Sequence, residues 1–149
     1  MKTASASNRT EHVETVVAVV LLREDGTALL QLRDEKPGLR HGGMWVMPGG
    51  HSEQGESLEA AGRREFLEET GYVCGQLRWL MTFENDQNDG WSPYQLAIFW
   101  ERYDGVQPVR CFEGQALRFM ERSRATAYPI PDYLMDIWDK ALRAAGLAR

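Results

Sequence analysis

Three glutamates, Glu65, Glu68 and Glu69, stand close together between Ser57 and Gly71. On a helix advancing about 100° per residue, Glu68 and Glu69 flank the angle of Glu65, so the carboxylates share an arc of roughly 100°. Leu58, Ala61 and Gly62 lie near the same angle, which makes the first half of this stripe small and apolar and its second half acidic. The apolar half predicts a face turned toward a sheet. Continuing that face with carboxylates costs roughly several kcal/mol unless a cation compensates. Two readings follow. One is a solvated acidic patch whose charges pair with Arg63 and Arg64. The other is a site for a hard divalent cation such as Mg²⁺, which takes carboxylate oxygens and often bridges to substrate phosphate. Helical phase alone does not choose between them.

The elements that must position these side chains are legible in outline. Ser57 is placed to cap the acidic helix and Gly71 to end it. Upstream, the β-branched run 15–22 reads as a buried strand, Asp25-Gly26 as a hairpin turn and 28–33 as its partner. Residues 36–43 form a charged, glycine-bearing loop, and 45–47 a short strand stopped by a turn at Pro48-Gly49-Gly50. Downstream, 77–84, 94–102 and 115–120 read as strands, with a polar loop at 85–92 and a turn at Asp104-Gly105. Apolar residues at 134, 137, 138, 141 and 142 predict an amphipathic helix over 132–147. The sum is an α+β domain with strands sandwiched between helices.

The spacing around the glutamates is more specific than their phase. Gly50, five residues, Glu56, seven residues, then Arg64-Glu65-Phe66-x-Glu68-Glu69-x-Gly71-Tyr72 resembles the signature of the Nudix hydrolase family at every strictly specified position. Seven specified residues in order arise by chance in roughly one window in 10⁸ at ordinary residue frequencies. Tyr72 departs from the aliphatic residue usual there, which predicts a packing difference and no loss of chemistry. LLQLRD, MWVMPGG, Glu113-Gly114-Gln115 and 128–132 extend the likeness to the MutT-type nucleotide pyrophosphohydrolases over roughly residues 15–138.

The resemblance implies an α/β/α sandwich with a mixed central sheet, a loop-helix-loop and a C-terminal helix. It implies Glu65, Glu68 and Glu69 as metal ligands, Glu113 as a fourth carboxylate reaching the metals from outside the helix, and Gly49 beside them. Gly49 and Gly50 would turn tightly and bring backbone N–H groups near phosphate. Glu56 and Arg64 would pair and orient the helix, and Arg33 would meet the phosphate end of the substrate or remain a solvated edge arginine. The implied chemistry is Mg²⁺-dependent, with Mn²⁺ an alternative: cations neutralise a polyanionic substrate and acidify a water that displaces at phosphorus. Glu65 is expected as the general base, with Glu113 as second choice.

The implied substrate is a nucleoside triphosphate cleaved to monophosphate and pyrophosphate. Nucleotide sugars or dinucleoside polyphosphates are the alternative, and a nucleotide-sensing domain without catalysis is a third. Where MutT-type members often carry Asn, this chain has Asp132, which only accepts hydrogen bonds when ionised and so favours amino or imino donors on the base. Asp132 could equally cap the last helix. Trp45, Trp91 and Tyr94 are candidates for stacking a base or for anchoring core and loops.

Bulk properties bound the rest. The formal net charge is -5, which argues against a nucleic-acid or anionic-membrane partner. The longest apolar run, 16–22, is too short to span a bilayer. Residues 1–11 lack an apolar signal core and read as a disordered tail, and 12–149 as one domain. Cys74 and Cys111 show no Cys-x-x-Cys pairing and read as reduced thiols, with a bridge between them as the alternative. The expectation is a cytoplasmic protein, monomer or homodimer, acting on a small nucleotide.

Overall fold

The computed structural model of the chain describes residues 14–85 and 93–148. The expected N-terminal tail, most of the polar loop at 85–92 and its Trp91 lie outside the described residues. Among the described residues, seven strands form one mixed sheet: β1 (Glu14–Leu22), β2 (Ala28–Leu32), β3 (Trp45–Val46), β4 (Gly49–His51), β5 (Arg78–Asn85), β6 (Tyr94–Arg102) and β7 (Ala116–Met120). Helix α1 (Leu58–Thr70) covers one face and α2 (Asp132–Ala144) the other. This is the expected α/β/α sandwich. A 3-10 helix, Arg122–Ala127, precedes α2 and was not expected.

The apolar run of β1 is continuous because both of its faces are covered. Val17, Val19 and Leu21 point to the α1 side, where they meet Ala61 and Phe66. Ala18, Val20 and Leu22 point to the α2 side, where they meet Leu134, Ile137 and Trp138. Strand β6 runs parallel to β1 and repeats the sorting: Ala97 and Phe99 on one side, Leu96, Ile98 and Trp100 on the other. A register shift between Trp79 and Met81 in β5 turns Leu80 and Met81 both toward the α2 core and leaves Trp79 against Phe99.

The other edge of β1 is divided. Its middle pairs with β4, Val16 opposite His51 and Ala18 opposite Gly49, while its end at Leu22 pairs with β2. The sheet therefore forks between β4 and β2. This corrects the expected turn at Pro48-Gly49-Gly50: Gly49–His51 is a strand, and neither glycine has a positive φ. The glycines serve close approach. A Cβ at Gly49 would stand 1.9 Å from the Val17 carbonyl oxygen.

Helix α1 begins and ends as expected. The Ser57 hydroxyl accepts from the Ala60 N–H at 3.1 Å, and Gly71 closes the helix at φ 75°. Gly62 lets it lie against β1, its missing Cβ lying 3.1 Å from Val17 Cγ1. Leu58, placed on the inward stripe from its phase, is exposed, because the stripe meets the sheet only from Ala61 onward. Tyr72 packs edge-on against Phe66, and its hydroxyl accepts the Asp104 N–H at 3.0 Å, which accounts for the tolerated aromatic.

Replacing Gly49 by Ala forces β4 off β1 and should lower stability by at least about 2 kcal/mol. Gly55→Ala, at φ +82° with nothing within 4 Å, should cost only the roughly 1–2 kcal/mol of a left-handed L-residue. Urea denaturation of the two variants checks the order; equal losses would refute the close-approach account.

Candidate active site

The fork in the sheet opens into a cavity of about 490 Å³. Helix α1 contributes Glu65 and Glu69, β4 contributes Gly49 and Gly50, β2 contributes Gln31, and the chain beyond β2 contributes Arg33. Glu113 joins them from the loop before β7. Glu68 does not: its side chain is 57% exposed and sits 3.5 Å from Arg64 on the outer flank of the helix.

Two different environments act on this acidic face. On the outside, Arg64 binds Glu56 through two nitrogens at 2.7 and 3.0 Å, donates to Glu65 Oε2 at 3.0 Å and reaches the His51 carbonyl at 3.1 Å. Arg63 turns away, to Glu59 and the Cys74 and Gly75 carbonyls. The pairing expected of a solvated patch is therefore made by Arg64 alone. On the inside, Glu69 is only 4% exposed and, among the described residues, pairs with no arginine. Its Oε1 accepts from Gln31 Nε2 at 3.0 Å and from the Gly49 N–H at 3.2 Å. That N–H, expected to face phosphate, is thus turned to a carboxylate. Glu65 is held as tightly in space: a Cβ on Gly50 would lie 2.3 Å from Glu65 Oε1.

Loop 110–115 is tied at both ends. The Arg110 and Phe112 N–H groups donate to the Thr70 and Glu69 carbonyls, and the Gln115 N–H and side chain donate to the Leu32 and Arg33 carbonyls. Gly114, at φ +85°, passes so close to Leu32 that a Cβ would stand 2.5 Å from its carbonyl oxygen. This tether presents Glu113 to Glu69. Burial, then the Glu113 charge, then Glu65 push the Glu69 carboxyl up to about 8, against the opposing hydrogen bond from Gln31. Uncompensated negative charge on hard oxygen donors is the condition that a divalent cation relieves, so the donor chemistry fits one. Among the described residues no three His, Cys, Asp or Glu side chains converge at ligand spacing, so the carboxylates ring the cavity rather than meet in it.

Asp132 lies outside this cavity. It is exposed, the first residue of α2, with Pro131 at the cap position, so it neither lines the site nor caps the helix, and its charge simply suits the helix N-terminus. Its neighbour Tyr133 lines the cavity instead, beside Tyr94 and His41. Trp45 is core, edge-on to Tyr128. Gln31, His41 and Tyr133 were not singled out in the sequence. Only Gln31 left a signal, as a lone polar residue inside the apolar strand ALLQL. Both cysteines are free thiols, Cys74 buried and Cys111 exposed.

The NUDIX domain model matches residues 12–136, most of the chain. The chain belongs to the Nudix family. Among curated Nudix relatives, "Putative nudix hydrolase 1" of Caenorhabditis elegans is 38% identical over 86 residues, 56% of this chain and 22% of that protein. "Putative 8-oxo-dGTP diphosphatase" of Bacillus subtilis is 44% identical over 54 residues, 36% of this chain and 32% of that protein. The matched segments thus span a third or less of these relatives. Among solved structures, the MutT protein of Methanosarcina mazei Go1 superposes with a TM-score of 0.73 at 22% identity, over 89% of this chain and 95% of that one. That likeness supports the Nudix fold assignment. No helix among the described residues is long and apolar enough to cross a membrane.

The raised Glu69 carboxyl has a stability consequence. The folded state binds this proton more tightly than the unfolded state, where the ordinary value is 4.5. The resulting stabilisation is complete below about pH 4.5 and is lost as pH rises through about 8. With a chelator present, thermal unfolding should show stability falling over this window by a few kcal/mol, roughly, relative to Glu69→Gln. Added Mg²⁺ or Mn²⁺ should flatten the slope. A slope identical in Glu69→Gln would remove Glu69 as its source.

Proposed function

We propose that the protein hydrolyses a nucleoside triphosphate to the monophosphate and pyrophosphate, with Mg²⁺ or Mn²⁺ held by Glu65, Glu69 and Glu113, Glu68 at the outer edge and the Gly49 main chain beside them. The observation that carries this reading is the tethered loop that sets Glu113 against Glu69 across the cavity, beside Glu65. Such a bound cation neutralises polyphosphate charge and lowers the pKa of water.

The chain's own groups do the rest. Arg33 lines the cavity as a cation in an acidic site and takes the phosphate end, next to the bare backbone of Gly50. Glu65 is the general base: Arg64 and Gly50 fix its carboxylate, and it accepts the proton of the water that attacks the α–β anhydride at phosphorus. Pyrophosphate leaves as that P–O bond breaks. Glu113 is the second catalytic carboxylate. Glu56 and Arg64 act as positioning residues, because their paired side chains link the loop before α1 to Glu65. Asp132 does not line the cavity, and base selection is not assigned to it here.

An ion-exchange product assay with Mg²⁺ across nucleoside triphosphates, nucleoside diphosphate sugars and dinucleoside polyphosphates tests the proposal. Monophosphate and pyrophosphate from at least one triphosphate are expected, with kcat reduced by about 10²-fold or more in Glu65→Gln. Sugar phosphate or unequal nucleotide products, with triphosphates untouched, would move the assignment to the other substrates. Absence of any product would favour a sensing domain.

A further inference from the structure

Strand β2 carries one polar side chain in its apolar run ALLQL. Gln31 is only 4% exposed, on the α1 side of the sheet, where its strand neighbour Leu29 belongs to the apolar core. An apolar residue would fill that place at no polar cost, whereas a buried amide is kept with its hydrogen bonds made. Gln31 Nε2 donates to Glu69 Oε1 at 3.0 Å, and the Gly49 N–H donates to the same oxygen at 3.2 Å. Both lone pairs of Oε1 are therefore taken, by donors from two different strands. Glu69 Oε2 makes no hydrogen bond among the described residues and stays open to the cavity that Glu69 lines. The same side chain meets the Glu113 loop: a Cβ at Gly114 would stand 3.1 Å from Gln31 Cγ. Gln31 thus touches α1 through its amide and loop 110–115 through its methylenes.

We propose that Gln31 is a positioning residue that turns Glu69 to offer a cation one oxygen and not two, and that it thereby favours Mg²⁺ over Ca²⁺; this rests on the metal reading of the site above. Ca²⁺ is large, tolerates irregular coordination and accepts both oxygens of a single carboxylate. Mg²⁺ holds to an octahedron with short bonds, which the narrow bite of one carboxylate does not fit. A glutamate free to rotate offers either arrangement. Two donors on Oε1 fix the plane of the Glu69 carboxylate, whereas Gly49 alone would leave it free to swing about one contact. Presenting both oxygens to a cation then breaks two hydrogen bonds at a buried site, a cost that falls on Ca²⁺ and not on Mg²⁺. The outer partner of a ligand in this way sets what the ligand prefers.

Mn²⁺ binding to the full chain without nucleotide, read from the EPR signal of the free ion with Mg²⁺ and Ca²⁺ as competitors, tests this without turnover. Mg²⁺ should displace Mn²⁺ from the unaltered protein at a lower concentration than Ca²⁺ does. Gln31→Met keeps an unbranched side chain against Gly114 and removes the donor; Gln31→Leu removes it with a residue the strand already uses. Each should shift the ratio of the two competitors toward Ca²⁺ by about tenfold or more, in protein that urea denaturation shows to be folded. A merely structural role would weaken all the cations alike. An unchanged ratio in both variants, or Ca²⁺ preferred by the unaltered protein, would overturn the role of Gln31. Mn²⁺ binding that Glu69→Gln leaves intact would overturn the metal reading itself, and the role of Gln31 with it.

Discussion

A buried carboxylate at the fork of the sheet is the constraint on which the site depends. Glu69 stands where the edge of β1 passes from β4 to β2, and its Oε1 satisfies one polar group from each side of that fork: the Gly49 N–H and the Gln31 amide. Without it, the Gly49 N–H and the Gln31 amide would lose their shared acceptor. Helix α1 is therefore fastened to the sheet at a polar point as well as along the Ala61–Gly62 contact with β1. The same fastening places a carboxylate among like charges, so protonation at that spot favours the folded state.

Arg64 explains why the neighbouring glutamates behave differently. It lies outside the helix, spans Glu56, Glu65 and the His51 carbonyl, and so ties the loop between β4 and α1 to the helix it precedes. Its guanidinium neutralises the outward carboxylates and cannot serve Glu69, which faces the sheet. The ion-paired reading of the acidic stripe thus holds for the outer flank of the helix, where Arg64 sits, and not for Glu69. An outer ion-paired patch holds the frame, and an inner carboxyl group, bonded to Gln31 and Gly49, faces the cavity.

How much of this was legible follows from what each feature depends on. Local backbone chemistry was readable: the Ser57 cap, the Gly71 stop, the two-sided apolar run of β1 and the amphipathic α2 each reflect residues within a few positions of one another. The Gly49–His51 strand was not, because a proline followed by two glycines has the composition of a turn, and only the approach of Val17 reveals that space, not φ, requires the glycines. That Tyr133 and not Asp132 lines the cavity was hidden for a related reason. The two share the helix start, and a shift of one residue, roughly 100° on a helix, decides which side chain enters the cavity. The 3-10 turn before α2 carries no periodicity long enough to read.

The same dependence separates the two ends of the cavity. Glu65 and Glu69 come from one helix, so their relation is fixed by helical geometry and survives in the linear spacing. The opposite end is assembled from His41 in a loop, Tyr94 at the start of β6 and Tyr133 at the start of α2, residues that meet only after the sheet and α2 have packed. No spacing rule links positions 41, 94 and 133. Each taken alone is an ordinary loop histidine or core-edge tyrosine, and the information lies in two hydrogen bonds that no single segment contains.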